Sequence, residues 1–279
     1  MTIKTLLAVL TDKDTAAAVM QAAALLARRH DAHLIVAHPL EALDIYPGVA
    51  VHIPESVYES FRRSQAEQST ALKEIFTRHT HAEDFVSEWR LLSTEAQTAA
   101  DRIAECARSA DAVVMPAVAP GRNAAFHGQM LDTVIRTAGR PVIVVPADFK
   151  GDSLGRSVLI GWNGTREAVR AAHDTLALMQ EGDKAHILRI NDRSHAMEHD
   201  ATTADLAAAF ARHGIETTLA EVAWETGGVA EMLNRSALEK GADMIAVGAF
   251  GHSLVYDFIV GAATRDLLRH LELPVLFSR

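Results

Sequence analysis

Between Val247 and Leu268 the chain reads VGAFGHSLVYDFIVGAATRDLL, with Gly248, Gly251 and Gly261 separated by two and nine residues. An apolar, strand-like run (DMIAV) leads into the first glycine, and a helical pattern begins at the third. Glycines at 248 and 251 permit positive φ and close backbone approach. Amides at the start of the following helix would point at a bound anion, with the helix dipole behind them. That is a way to bind phosphate without a lysine. The same glycines would also serve a plain strand-to-helix turn with close packing, and the spacing alone leaves both readings open.

Other residues bear on the same chemistry. The turn after the run SVLIGW reads Asn163-Gly164-Thr165, where Thr165 can cap the helix that follows and Glu167 in its first turn favours the helix dipole. His252 follows the second glycine, where it would either neutralise phosphate or stand neutral at the surface. His252 and Ser253 do not make a hydrolase, because neighbours in a chain rarely face each other and no G-x-S-x-G elbow is present. HAMEH, His195 to His199, has the spacing of an inverted zinc-protease motif but lies in a short polar stretch and reads as a solvated loop, as does RHTH at 78–81. Trp162 would stack on a base or finish the core, and Cys106, the single cysteine, reads as a buried inert thiol.

The elements that must position these residues come from a repeat. DAVVMPAV at 111 and DMIAVGAF at 243 match in pattern, and Pro141 and Pro274 stand 133 residues apart, each opening a short apolar run. Within each copy, apolar runs alternate with helical patterns, which is the mark of βαβ units and a parallel sheet. The expected fold is α/β, two copies of a five-stranded doubly wound parallel sheet, with domains at 1–148 and 154–279 joined by PADFKGDSLG. The first copy carries an additional long polar helix around 55–78. The last strands, 142–145 and 275–278, are long apolar edges that can pair with each other and hold the copies as an intramolecular pseudo-dimer.

Composition agrees. Hydrophobic residues are 49% and aromatics 5%, so the core must be Ala, Val, Leu and Ile, as in sheets covered on both faces. A net charge of -9 argues against nucleic acid or an anionic membrane as partner. No apolar run approaches the roughly 20 residues of a membrane span. The N-terminal MTIKTLLAVLTDKD lacks the pattern of a signal peptide, so a cytoplasmic protein is expected.

The glycine spacing is similar to the ATP-binding signature of universal stress proteins, G-x2-G-x9-G-[S/T], and the two-copy layout with its terminal LPVLF resembles the tandem members of that family. The resemblance implies a Rossmann-like, adenine nucleotide alpha hydrolase-like fold. It also implies that Gly248, Gly251, Gly261 and the amide of Ala262 surround the phosphates of ATP, or of ADP or AMP. Ala262 stands where the family has Ser or Thr, and Asn163-Gly164-Thr165 where it often has D-G-S; the lost carboxylate weakens the case for magnesium. Ile190 matches a position that often gives backbone contacts to adenine. In the first copy, Pro116 and Ala119 replace the first two glycines, Pro120 removes an amide, only Gly128 resembles the third, and the first turn is Thr11-Asp12-Lys13. Its nucleotide site reads as degenerate. The resemblance thus implies an ATP-binding regulatory protein of stress response or signalling, with an unidentified protein partner and a homodimer as options. Two alternatives stay open: a non-nucleotide ligand-binding or scaffold protein, and a slow ATP hydrolase. A transferase is disfavoured, since neither H-x-G-H nor an S-G-G-x-D-S-like loop is present.

Overall fold

A computed structural model describes residues 3–40, 54–94, 97–119, 121, 123–191, 201–251 and 260–279; for 201 and 260–263 only their place in a helix is given. The first half contains β1 (Thr5–Val9), α1 (Lys13–His30), β2 (His33–Pro39), α2 (Glu55–Thr80), β3 (Ser87–Leu92), α3 (Ala99–Ala107), β4 (Ala112–Pro116), α4 (Ala124–Thr137) and β5 (Val142–Val145). The second contains β6 (Ser157–Gly161), α5 (Arg166–Leu178), β7 (Lys184–Asn191), α6 (Ala201–Arg212), β8 (Glu216–Ala223), α7 (Gly228–Lys240), β9 (Met244–Gly248), α8 (Val260–Arg269) and β10 (Val275–Ser278). All strands join one sheet in the order β3-β2-β1-β4-β5-β10-β9-β6-β7-β8.

Local sequence explains much of this. Unbroken apolar runs such as VIVV in β5 are buried along their whole length, as strands covered on both faces require. Alanines on α1, among them Ala16, Ala23 and Ala27, are fully buried and let that helix lie close on the sheet. Asp12 caps α1 by accepting from the Thr15 amide at 3.0 Å, and Arg28 and Arg29 in its last turn suit the dipole. Gly241 ends α7 in the left-handed conformation at φ 62°. The predicted extra helix is α2, which buries Leu72 and Phe76.

The repeat extends to a polar device. Asp111, before β4, accepts from the amides of Lys4 and Thr5 at 2.7 and 2.9 Å. Asp243, before β9, accepts from those of Gly155, Arg156 and Ser157 at 2.8 to 3.3 Å. Each carboxylate ties the start of a half's fourth strand to the start of its first.

The halves meet as the apolar edges predicted, through β5 and β10, which pair antiparallel with Leu276 opposite Ile143. All other pairings are parallel, so the strands of the two halves end at opposite edges of the sheet. One apolar cluster covers each face, and each contains residues of both halves. Beside the seam, Arg29 pairs with Asp183, both side chains about nine-tenths buried, and Gln180 Nε2 donates to the Arg29 carbonyl at 3.0 Å. The connecting segment is anchored too: Leu154 is buried and Gln21 Nε2 donates to the Gly151 carbonyl. Cys106 is half-buried, packed against the second cluster rather than fully inside it.

His30 makes stability depend on pH. It is buried at the end of α1 with no partner for Nε2. Burial, and then neighbouring Arg29, holds its pKa below the ordinary histidine value against the opposing backbone hydrogen bond at Leu178. His186 on β7 is shifted the same way, by burial and then by Lys240 and Lys184. A folded pKa below the unfolded value means that the folded chain binds fewer protons, so this stabilisation is present above about pH 6.5 and lost as pH falls through the depressed folded value. The urea midpoint is expected to drop between pH 7.5 and 5.5, with a smaller drop in His30→Gln. An unchanged drop in that variant would exclude His30 as a source.

Candidate functional site

Strand order reverses between β6 and β9, which pair with Ile160 opposite Ala246. Ligand clefts of doubly wound sheets open beyond the strand ends at such a point. The glycine segment and the Asn163 turn arrive there from the ends of these two strands.

After β6 the chain turns through Asn163 and Gly164 at φ 70°. Asn163 Oδ1 accepts from the Thr165 amide at 3.2 Å and from its hydroxyl at 2.7 Å. Thr165 in turn caps α5, its Oγ1 accepting from the Ala168 amide at 3.3 Å. Trp162 is 6% exposed and belongs to the core, so its core reading holds; its indole Nε1 has no hydrogen-bond partner. Ile190 lies half-buried near the end of β7.

At the end of β9, Gly248 is where two backbones meet. A Cβ there would lie 2.5 Å from the carbonyl carbon of Glu167 and 2.6 Å from the Ala168 nitrogen, so this glycine lets the strand touch the first turn of α5. A Cβ on Gly251 would lie 2.8 Å from Glu167 Oε2. The space before both glycines is therefore taken by Glu167, which is 7% exposed and paired with Arg166 at 3.0 Å. The amide of Ala249 donates to the Ser278 carbonyl at 2.7 Å, and that of Phe250 lies 3.5 Å from Thr264 Oγ1. These two amides serve the protein's own structure.

Gly261 and Ala262 fall in the first turn of α8. His252, and with it Ser253, Tyr256, Asp257 and Phe258, lies outside the described residues, as does HAMEH. In the first half Gly128 lies within α4 rather than at its start, Pro116 ends β4, and Gln68 of α2 donates to the Thr11 carbonyl at 2.7 Å. Near RHTH, His79 Nδ1 and His81 Nδ1 face backbone carbonyls, and no metal-holding group of His, Cys, Asp or Glu occurs among the described residues. A cavity of about 370 Å³ lies at the other edge of the second half, where β6 and β7 begin, lined by Arg29, Arg156, Gln180, Asp183 and Lys184. Two helices, α1 and α5, end beside it, which disfavours anions, and the Arg29 charge is matched by Asp183.

Two residues here escape sequence reasoning in their present roles: Glu167 reads only as a helix-dipole residue, and Arg136 comes from the other half. Thr264 lies three residues after Gly261 on α8. Arg136, in the last turn of α4 in the first half, stacks on the Phe250 ring with Cζ 3.4 Å from its centroid.

The Universal stress protein family matches residues 2–146 and again 156–279, and the chain belongs to that family. It is a two-copy member. Among solved structures it is similar to a universal stress protein from Archaeoglobus fulgidus DSM 4304, at 15% identity, TM-score 0.71, with 98% of this chain and 96% of that chain covered. A putative universal stress protein from Pseudomonas aeruginosa UCBPP-PA14 matches at 14% identity and TM-score 0.56, covering 99% and 93%. A universal stress protein from Archaeoglobus fulgidus in complex with dAMP matches 51% of this chain and 97% of its own, at 20% identity and TM-score 0.34. A search of curated proteins finds no match. No helix among the described residues is long and apolar enough to cross a membrane.

Proposed function

We propose that the chain is a cytoplasmic regulatory protein of two domains, 1–148 and 154–279, whose second domain binds an adenine nucleotide, ATP or its di- or monophosphate, and reports that binding to a protein partner. What carries the reading is convergence: Gly248 and Gly251 leave β9 beside the Asn163–Thr165 turn, at the point where strand order reverses, in a chain whose α8 carries the third glycine of the family signature in its first turn. Gly261 and the amide of Ala262 would then face the phosphates, His252 would add a cation, and Ile190 would border the base.

The residues fit an anion on one condition. Glu167 must turn away from Gly251 toward solvent, where its partner Arg166 already is, with a side chain 85% exposed. Nucleotide binding is thereby a switch: phosphate takes the place of the carboxylate beside Gly251, and the surface a partner reads changes. Any magnesium would arrive with the nucleotide, Glu167 being the carboxylate that faces the glycines.

ATP titration by calorimetry tests this in three proteins. Wild type is expected to bind, Gly251→Val to lose at least tenfold in affinity, and Glu167→Gln to gain roughly tenfold because a buried like charge is removed. Absence of binding by wild type, or unchanged affinity in Gly251→Val, defeats the proposal. The second reading, a scaffold without nucleotide, is favoured by the engaged amides of Ala249 and Phe250, and it predicts that none of the three proteins binds.

A further inference from the structure

The glycine segment of the second half is not completed by that half alone. Phe250, buried immediately before Gly251, holds φ at 51°, in the left-handed region that favours glycine. Its ring is covered by the guanidinium of Arg136 from the first half. The antiparallel β5–β10 pairing is the reason: Val142, which α4 leads into, lies opposite Phe277, next to the Ser278–Gly248 pair at the strand ends of the second half.

The backbone brings two further arginines to this place: Arg279 follows Ser278, the partner of Gly248 in the β9–β10 pairing, and Arg265 on α8 follows Thr264, whose Oγ1 lies 3.5 Å from the Phe250 amide. Burial does most to disfavour the charge on Arg136, Asp132 opposes it, and Arg279 and then Arg265 add to the disfavour. Among the described residues none of the three arginines forms an ion pair. Three guanidinium groups against the single carboxylate of Asp132, one turn earlier on α4, leave an excess of positive charge, and guanidinium forks match phosphate oxygens.

We propose that Arg136, Arg265 and Arg279 form a polyphosphate subsite across the seam, so that the first half supplies part of the second half's ligand site. This rests on the nucleotide reading of the cleft and adds to it a source of positive charge that the glycine signature does not contain. It gives the two copies a functional reason to share a chain: a ligand bound by one half is held by an arginine of the other.

The experiment uses the full chain with inorganic tripolyphosphate, ATP and adenosine as probes, followed by calorimetry. Wild type is expected to bind tripolyphosphate despite its net charge of -9. Arg136→Gln is expected to weaken tripolyphosphate and ATP by about tenfold and to leave adenosine unchanged. Because that variant also loses the stack on Phe250, Arg279→Gln, at an exposed position, serves as the second variant and should show the same selective loss. Failure of wild type to bind tripolyphosphate, or wild-type affinity in both variants, overturns the subsite. If ATP binds and neither variant matters, the subsite falls and the nucleotide reading stands. If tripolyphosphate binds as described but ATP binds no tighter and adenosine not at all, the subsite stands and the nucleotide reading falls.

Discussion

Replacing Asp183 by alanine should destabilise the folded chain by about 3–5 kcal/mol, the usual cost of removing one partner of a buried ion pair. Both side chains of the pair are about nine-tenths buried, and Nε and Nη1 of Arg29 have no other partner, so the variant would strand a guanidinium beside the seam. Asp183 also accepts from the Gln180 amide at 2.6 Å, so the turn before β7 loses its anchor as well. Urea denaturation measures the loss. The double variant Arg29→Met, Asp183→Leu should regain most of it, because a well-packed apolar pair avoids the desolvation that the ion pair must overcome. A loss below about 1 kcal/mol in Asp183→Ala would place the pair with exposed salt bridges, and the seam would then rest on β5–β10 pairing and apolar packing alone.

Gly248→Val should cost about 2–3 kcal/mol, with a fall in melting temperature of roughly 5–10 °C. The added carbon would meet backbone atoms of Glu167 and Ala168, and backbone in a capped helix turn cannot swing aside. Gly251→Ala provides the contrast. Its Cβ would meet the far end of the Glu167 side chain, which can rotate, so stability should change little while Glu167 is pushed outward. Thermal unfolding of the two variants side by side checks the assignment. Equal losses would mean that Glu167 is held as rigidly as the helix backbone, and the switch proposed for it would have no moving part.

These two glycines show how much of the site was legible in the sequence. Their spacing leaves two readings open for both, phosphate approach and a strand-to-helix turn with close packing. In the structure Gly248 has a packing role of its own, and Gly251 faces a carboxylate. Both facts depend on Glu167, which lies on a different βα unit. Its place in a first helical turn could be read locally; what it leans against could not. Trp162 posed a choice between base stacking and core, and the packing of α5 and α6 on the sheet puts it in the core.

The sequence by itself determined the elements, their alternation and the duplication. Those follow from residues within a few positions of each other: β-branched runs make buried strands, Thr165 caps α5, Gly241 ends α7, and Pro141 and Pro274 recur before the last strands. The apolar edges of β5 and β10 even indicated that the copies would join. Only the tertiary structure decided that they join antiparallel, which sends the strand ends of the two halves to opposite edges and brings Arg136 over Phe250. Caps and periodicities act along the chain, whereas the charge around a cleft is set by groups that folding brings together from distant parts of it.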